Sequence, residues 1–149
     1  MSSRRDFLKT TCGFSGVLIS GSAVAALLES CTSVKFISAA EVNGVLSVNK
    51  NEFLQQSFVV VKTSALAFPV YLAKITTANS SGERENYSAL FMRCTHKQCE
   101  VKPAGSVLYC PCHGSEFSTT GKVLKEPASV DLEKFPVSSD TQNIYIHLK

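Results

Sequence analysis

The sequence contains no tryptophan, and only three of its 149 residues are histidine. It has no glycine-rich phosphate loop and no internal repeat, so the usual nucleotide cradle and the repeat architectures are set aside. No strong charge imbalance is present either. Fifteen basic residues against twelve acidic ones give a formal net charge of +3, which makes no case for nucleic-acid binding. No catalytic base or substrate pocket is evident, which points away from a self-contained enzyme. With the N-terminal segment set aside, the remaining length suits one small domain.

What the chain does have is two short cysteine–histidine runs. The first is Cys94-Thr95-His96-Lys97-Gln98-Cys99, the second Cys110-Pro111-Cys112-His113-Gly114-Ser115. Each supplies a Cys and a His that could bind metal, with one further Cys left over. Two thiolates and two imidazoles can hold a 2Fe-2S centre, with both Cys on one iron and both His on the other. Zinc and a plain disulfide scaffold are the alternatives. Zinc sets usually pair Cys with Cys and His with His, and zinc leaves two cysteines unexplained. A disulfide scaffold leaves the two histidines unexplained. The third histidine, His147, lies in an alternating run near the C-terminus and reads as a strand or surface residue.

The two runs resemble the Rieske iron–sulfur proteins, in the branch found in quinol-oxidising cytochrome bc-type complexes. The similarity continues through Thr120-Gly121-Lys122-Val123 and Pro127-Ala128 to Phe135-Pro136-Val137. It implies Cys94, His96, Cys110 and His113 as cluster ligands and Cys99 and Cys112 as disulfide partners. It implies that Ser115 donates a hydrogen bond to a bridging sulfide. Pro127-Ala128 would belong to a third loop covering the site.

Two positions depart from that pattern. Where high-potential relatives carry a Tyr whose hydroxyl bonds a ligand sulfur, this chain has Phe117, which predicts a lower potential. Where quinol-oxidising relatives have Leu-Gly, this chain has Lys97-Gln98. A strongly hydrated ammonium resists burial in an apolar quinol site and suits an acidic redox partner.

Formal charges explain the use of histidine. Two ferric ions, two sulfides and two thiolates sum to zero, and neutral imidazoles add nothing. Four thiolates would leave the centre doubly negative, so His ligation eases reduction and raises the potential. An imidazole that loses its proton more readily on the oxidised centre couples proton to electron, which suits quinol oxidation. The reading is an electron-transfer subunit, with a cytochrome or another oxidoreductase subunit as partner and quinol as a candidate donor. A subunit of another exported oxidoreductase, or a standalone carrier, is the competing role.

The start, Ser3-Arg4-Arg5-Asp6-Phe7-Leu8-Lys9, resembles a bacterial twin-arginine export signal, and an uncharged stretch follows from Thr11 to Leu28. That stretch is about long enough to span a bilayer. Twin-arginine export carries folded proteins, so it fits a cluster inserted before export, with the disulfide closing in an oxidising compartment. Cys31, after Leu28-Glu29-Ser30, resembles a loose lipoprotein processing site. Lipidation at Cys31, a retained anchor helix and simple cleavage all place the domain on the outer, periplasmic face of the membrane. Cys12 reads as a passive small residue.

The expected organisation is a signal or anchor over 1–30, a tether over 31–40 and the cluster domain over 41–149. The domain is predicted to be all-β, with stacked antiparallel sheets and a cluster-binding loop tip. Strands are predicted around Val42–Val48 with an Asn43-Gly44 turn, and at Phe58–Val61, Val70–Ile75, Tyr87–Met92, Val107–Tyr109, Lys122–Leu124 and Ile144–Ile146. Glu52–Ser57 is expected to form a helical turn. Tyr71, Tyr87, Tyr109 and the phenylalanines read as core. Both cysteine–histidine runs follow strands, as expected of loops that project ligands from a rigid sheet.

Overall fold

The computed structural model describes residues 34–79 and 82–148, with side chains described outside 76–85. The twin-arginine motif, the uncharged stretch, Cys12 and Cys31 lie outside the described residues. No described helix is long and apolar enough to cross a membrane.

The described strands, in chain order, are β1 (Phe36–Ser38), β2 (Glu41–Val42), β3 (Val45–Asn49), β4 (Phe58–Lys62), β5 (Val70–Asn79), β6 (Gly82–Phe91), β7 (Lys102–Ala104), β8 (Val107–Tyr109), β9 (Glu116–Ser118), β10 (Val123–Lys125), β11 (Lys134–Phe135), β12 (Val137–Ser139) and β13 (Asn143–His147). They form three sheets, ordered β1-β4-β5-β6-β11, β10-β9-β8-β7 and β12-β13-β3-β2. All pairs are antiparallel except β1 with β4. The all-β, stacked-sheet expectation holds.

The five-stranded sheet is the middle layer, and β4 shows why. Val59, Val60 and Val61 are all fully buried, although successive side chains on a strand point to opposite faces. Val60 packs in one core with Leu90, Met92, Leu108 and Phe117. Val59 and Val61 pack in the other with Leu46, Val48, Leu72, Ile144 and Ile146. A strand covered on both faces reads as an unbroken apolar run. Each such side chain contributes about 1.5–3 kcal/mol by leaving water.

Several local expectations shift. Asn43 and Gly44 both have positive φ, +54° and +80°, as a tight two-residue hairpin turn between β2 and β3 requires. The helical turn sits earlier than expected, as a 3₁₀ turn over Lys50–Phe53. The Asn49 side chain caps it by accepting from the Asn51 N–H. β1 falls within the stretch read as a tether, because Ile37 packs against the second core and β1 pairs with β4. Tyr71 is a core residue, and burial pushes its phenol up to about 12. Tyr109 and Phe36 are not core: they are 37% and 55% exposed. Tyr109 alternates with Leu108 and Cys110, which take the inward positions.

Candidate metal centre

The two cysteine–histidine loops leave strands of different sheets and fold alike. The first follows β6 and is pinned at its base by the Arg93–Glu100 bridge. The second is the loop of the β8–β9 hairpin, between the paired residues Tyr109 and Glu116. In the first, the Cys94 N–H donates to the Cys99 carbonyl and the Gln98 N–H to the Cys94 carbonyl, both at 2.8 Å. In the second, the Cys110 N–H donates to the Ser115 carbonyl at 2.8 Å and the Gly114 N–H to the Cys110 carbonyl at 3.0 Å. The fifth residue of each loop is left-handed, with φ +59° at Gln98 and +81° at Gly114.

These loops bring the candidate side chains together. The Cys94 and Cys110 thiols are free and buried, each only 1% exposed. Burial pushes the Cys110 thiol up, and the adjacent Cys94 thiol adds to this. The backbone N–H groups of Cys112 and His113 act the other way. The His96 and His113 rings stand 4.9 Å apart between centroids, nearly perpendicular at 88°. His96 Nδ1 is buried with no hydrogen-bond partner.

An orphaned buried polar atom is costly, about 1–3 kcal/mol. A metal ion at that nitrogen would satisfy it. Two buried thiols and a pair of neighbouring imidazoles, one with a buried nitrogen that lacks a partner, form a donor set that fits an iron–sulfur centre. The sulfurs of Cys99, Cys110 and Cys112 also lie within 4.8 Å of one another. Cys99 and Cys112, however, are bonded to each other, with S–S 2.02 Å, so neither is available as a thiolate. This disulfide joins the two loops directly.

A third loop closes over both. The Ser115 hydroxyl, fully buried, accepts from the Ala128 N–H at 3.0 Å. Its own proton is left free to donate. The Thr95 hydroxyl donates to the Val130 carbonyl at 2.6 Å. Asp131 anchors the loop's far end by accepting from the Val123 N–H at 2.9 Å and pairing with Lys122 at 2.8 Å. The contribution of Thr95 and Asp131 was not foreseen from sequence. A hydroxyl inside the first cysteine–histidine run was the available signal for Thr95, and nothing marked Asp131.

Phe117 lies fully buried in the same core as Cys94 and Cys110. Lys97 and Gln98 are exposed on the outer turn of the first loop. His147 lies on β13, within hydrogen-bond distance of the Ser138 hydroxyl at 2.8 Å, as a strand residue.

The sequence profile of the Rieske [2Fe-2S] domain matches residues 34–136. The cytochrome b6-f complex iron-sulfur subunit of Synechococcus sp. (strain CC9605) is 38% identical over 55 residues, 36% of this chain and 31% of that protein. The chloroplastic subunit of Chlamydomonas reinhardtii is 41% identical over 66 residues, 43% of this chain and 30% of that protein. The match thus spans about a third of the length of these relatives. Among solved structures, the cyanobacterial plasma membrane Rieske protein PetC3 from Synechocystis PCC 6803 superposes with TM-score 0.52 and 32% identity, covering 66% of this chain and 97% of that one. A hyperthermophilic respiratory Complex III chain superposes with TM-score 0.51 at 18% identity, covering 66% and 71%, a likeness of fold. A buried thiol pair, an imidazole pair with an unsatisfied nitrogen and a match over most of the described residues lead to one conclusion: the chain belongs to the Rieske [2Fe-2S] domain family, and its cofactor is a 2Fe-2S cluster.

Proposed function

We propose that this chain is an exported, membrane-tethered electron carrier serving a quinol-oxidising complex, with Cys94 and Cys110 holding one iron of the cluster and His96 and His113 the other. The observation that carries the ligand assignment is the buried, partnerless Nδ1 of His96, whose ring lies 4.9 Å from that of His113, with both free thiols buried. The bound cluster supplies one-electron chemistry. The chain's residues supply the rest. The disulfide and the third loop hold the two ligand loops in register and limit water. The Ser115 oxygen accepts from the Ala128 N–H, which leaves its proton free to donate. His113 is exposed, which gives its outer nitrogen a route for a proton to solvent.

Relatives described as subunits of cytochrome b6-f complexes support partners of the cytochrome b and c type. The twin-arginine motif supports export to the periplasmic face, and the uncharged stretch or Cys31 would provide the tether. The exposed Lys97 favours a second reading, in which the chain serves another exported oxidoreductase or acts alone with an acidic partner.

The test is direct. Purified from membranes, the protein should contain two irons and two acid-labile sulfides per chain, and its reduced EPR spectrum should have the low average g of mixed His/Cys ligation. Zinc in place of iron would overturn the assignment. Co-purification with a cytochrome b would favour the first reading over the second.

A further inference from the structure

Three sulfurs meet where the two ligand loops join. The Cys110 sulfur lies within 4.8 Å of both sulfurs of the Cys99–Cys112 disulfide. Cys110 carries a free thiol and is 1% exposed. Cys94, the other free thiol among the described residues, is outside this group of three. A sulfur held beside a disulfide is placed for thiol–disulfide exchange, in which one sulfur attacks a second and a third leaves. An S–S bond is about 2.05 Å long, so closing the gap takes a movement of no more than about 3 Å. Groups held together in one fold react at effective concentrations far above those of free thiols. Burial also keeps outside thiols from Cys110, so a partner already inside the fold has the advantage.

We propose that, until iron holds its sulfur, Cys110 exchanges into this disulfide, bonding to Cys99 and releasing Cys112. The proposal rests on the reading of Cys110 as a cluster ligand and adds an order of assembly to it. The Cys110–Cys99 bond forms as the Cys99–Cys112 bond breaks. The electron pair of the broken bond stays with the Cys112 sulfur, and the proton given up by Cys110 ends, through solvent, on Cys112. No oxidant or reductant is consumed. The direction follows from exposure. Cys112 is exposed and Cys99 half-buried, so water solvates a leaving Cys112 sulfur better than a leaving Cys99 sulfur. The product has lost one thiolate of the candidate ligand set. Iron bonded to Cys110 takes the same sulfur lone pair that the attack needs. Productive assembly is therefore cluster first and disulfide second, which agrees with loading before export.

Disulfide mapping tests this. The full-length loaded protein is divided in two under anaerobic conditions, and one half is stripped of iron with a chelator. Both halves are held at neutral pH without added thiol, quenched in acid, alkylated and mapped by mass spectrometry of their peptides. The loaded half should keep Cys99–Cys112. The stripped half should gain a Cys99–Cys110 pair and an alkylated Cys112 over minutes to hours. In Cys110→Ser, exposed to the same chelator and to the sulfide that stripping releases, the original pair should persist. An unchanged map in the stripped chain overturns the proposal, as does equally fast release of Cys112 in Cys110→Ser. A Cys110–Cys112 pair with Cys99 free overturns it too. Unfolded in urea, the stripped chain should yield a mixture of pairs, and the same mixture in buffer overturns the role of the folded geometry. A chain that never holds iron overturns the cluster-ligand reading, while its own map as purified still decides for or against exchange.

Discussion

Gln98 and Gly114 hold equivalent places in two congruent loops. Each follows its first cysteine by four residues, each returns its N–H to that cysteine's carbonyl, and each adopts positive φ. Glycine takes this conformation without steric cost, whereas a side chain with a Cβ is held there at about 1–2 kcal/mol. Gln98→Gly should stabilise the domain by up to about 1 kcal/mol, and Gly114→Ala should cost about as much. A Cβ at residue 114 meets nothing within 4 Å, so that cost is conformational and involves no clash. Thermal melts of both variants check this, with shifts of opposite sign and a few degrees each.

Ser115 and Thr95 latch the third loop onto the ligand loops. Ser115→Ala would leave the buried Ala128 N–H without its acceptor, at a cost of about 1–3 kcal/mol. Thr95→Val should cost less, about 1 kcal/mol, because the Val130 carbonyl lies in an exposed setting. Denaturant titration gives the stabilities, and the visible absorption of the loaded protein reports whether the site survives.

The disulfide spans 13 residues of sequence. Cross-linking a loop of that length restrains the unfolded chain by about 3 kcal/mol. Replacing Cys99 and Cys112 together by Ser should lower the melting temperature by roughly ten degrees. Cys99→Ser alone should lower it similarly and leave a modifiable thiol at the exposed Cys112, which mass spectrometry after alkylation would detect.

Phe117→Tyr introduces a hydroxyl into a fully buried position in the core that contains both free thiols. Hydrogen bonds to cluster sulfurs raise the potential. Protein-film voltammetry should show a positive shift; an unchanged or lowered value would remove Phe117 from the tuning argument.

Acid should weaken the domain through Asp131 and Asp140. Asp140 is held below the usual carboxylate range chiefly by the Tyr145 hydroxyl, then by the Asn143 and Gln142 N–H groups. Asp131 is held low chiefly by its hydrogen bond from Lys122, then by the Val123 N–H. A lowered folded pKa contributes stability above the unfolded value, roughly pH 4, and that stability is lost as pH falls through the folded value. Asp140→Asn should flatten stability against pH below about 4, as followed by urea unfolding at stepped pH.

The sequence made the middle strands and the site easy to find, for a shared reason. Val59–Val61 is unbroken because it is covered twice, and the cysteines and histidines have few other uses in one small domain. Harder features depended on partners distant in sequence. Phe36–Ser38 becomes a strand because β4 offers it an edge. Thr95 matters because Val130, thirty-five residues on, lies across from it. Tyr109 is no more polar than Tyr71, and only strand phase decides which faces water. The turn at Lys50–Phe53 was displaced because the Asn49 cap, and not the run of polar residues after it, sets where it begins.

Gly121 has a consequence for how the core is filled. With φ +85°, it bonds through its N–H to Ser118 and through its carbonyl to Leu132, and a Cβ there would sit 2.9 Å from Leu90 Cδ2. Leu90 lies in the same core as Met92, Cys94 and Cys110. A single methyl at residue 121 would therefore press on a side chain of the same core that holds both buried thiols, so that core has no room to spare on the side away from the metal loops.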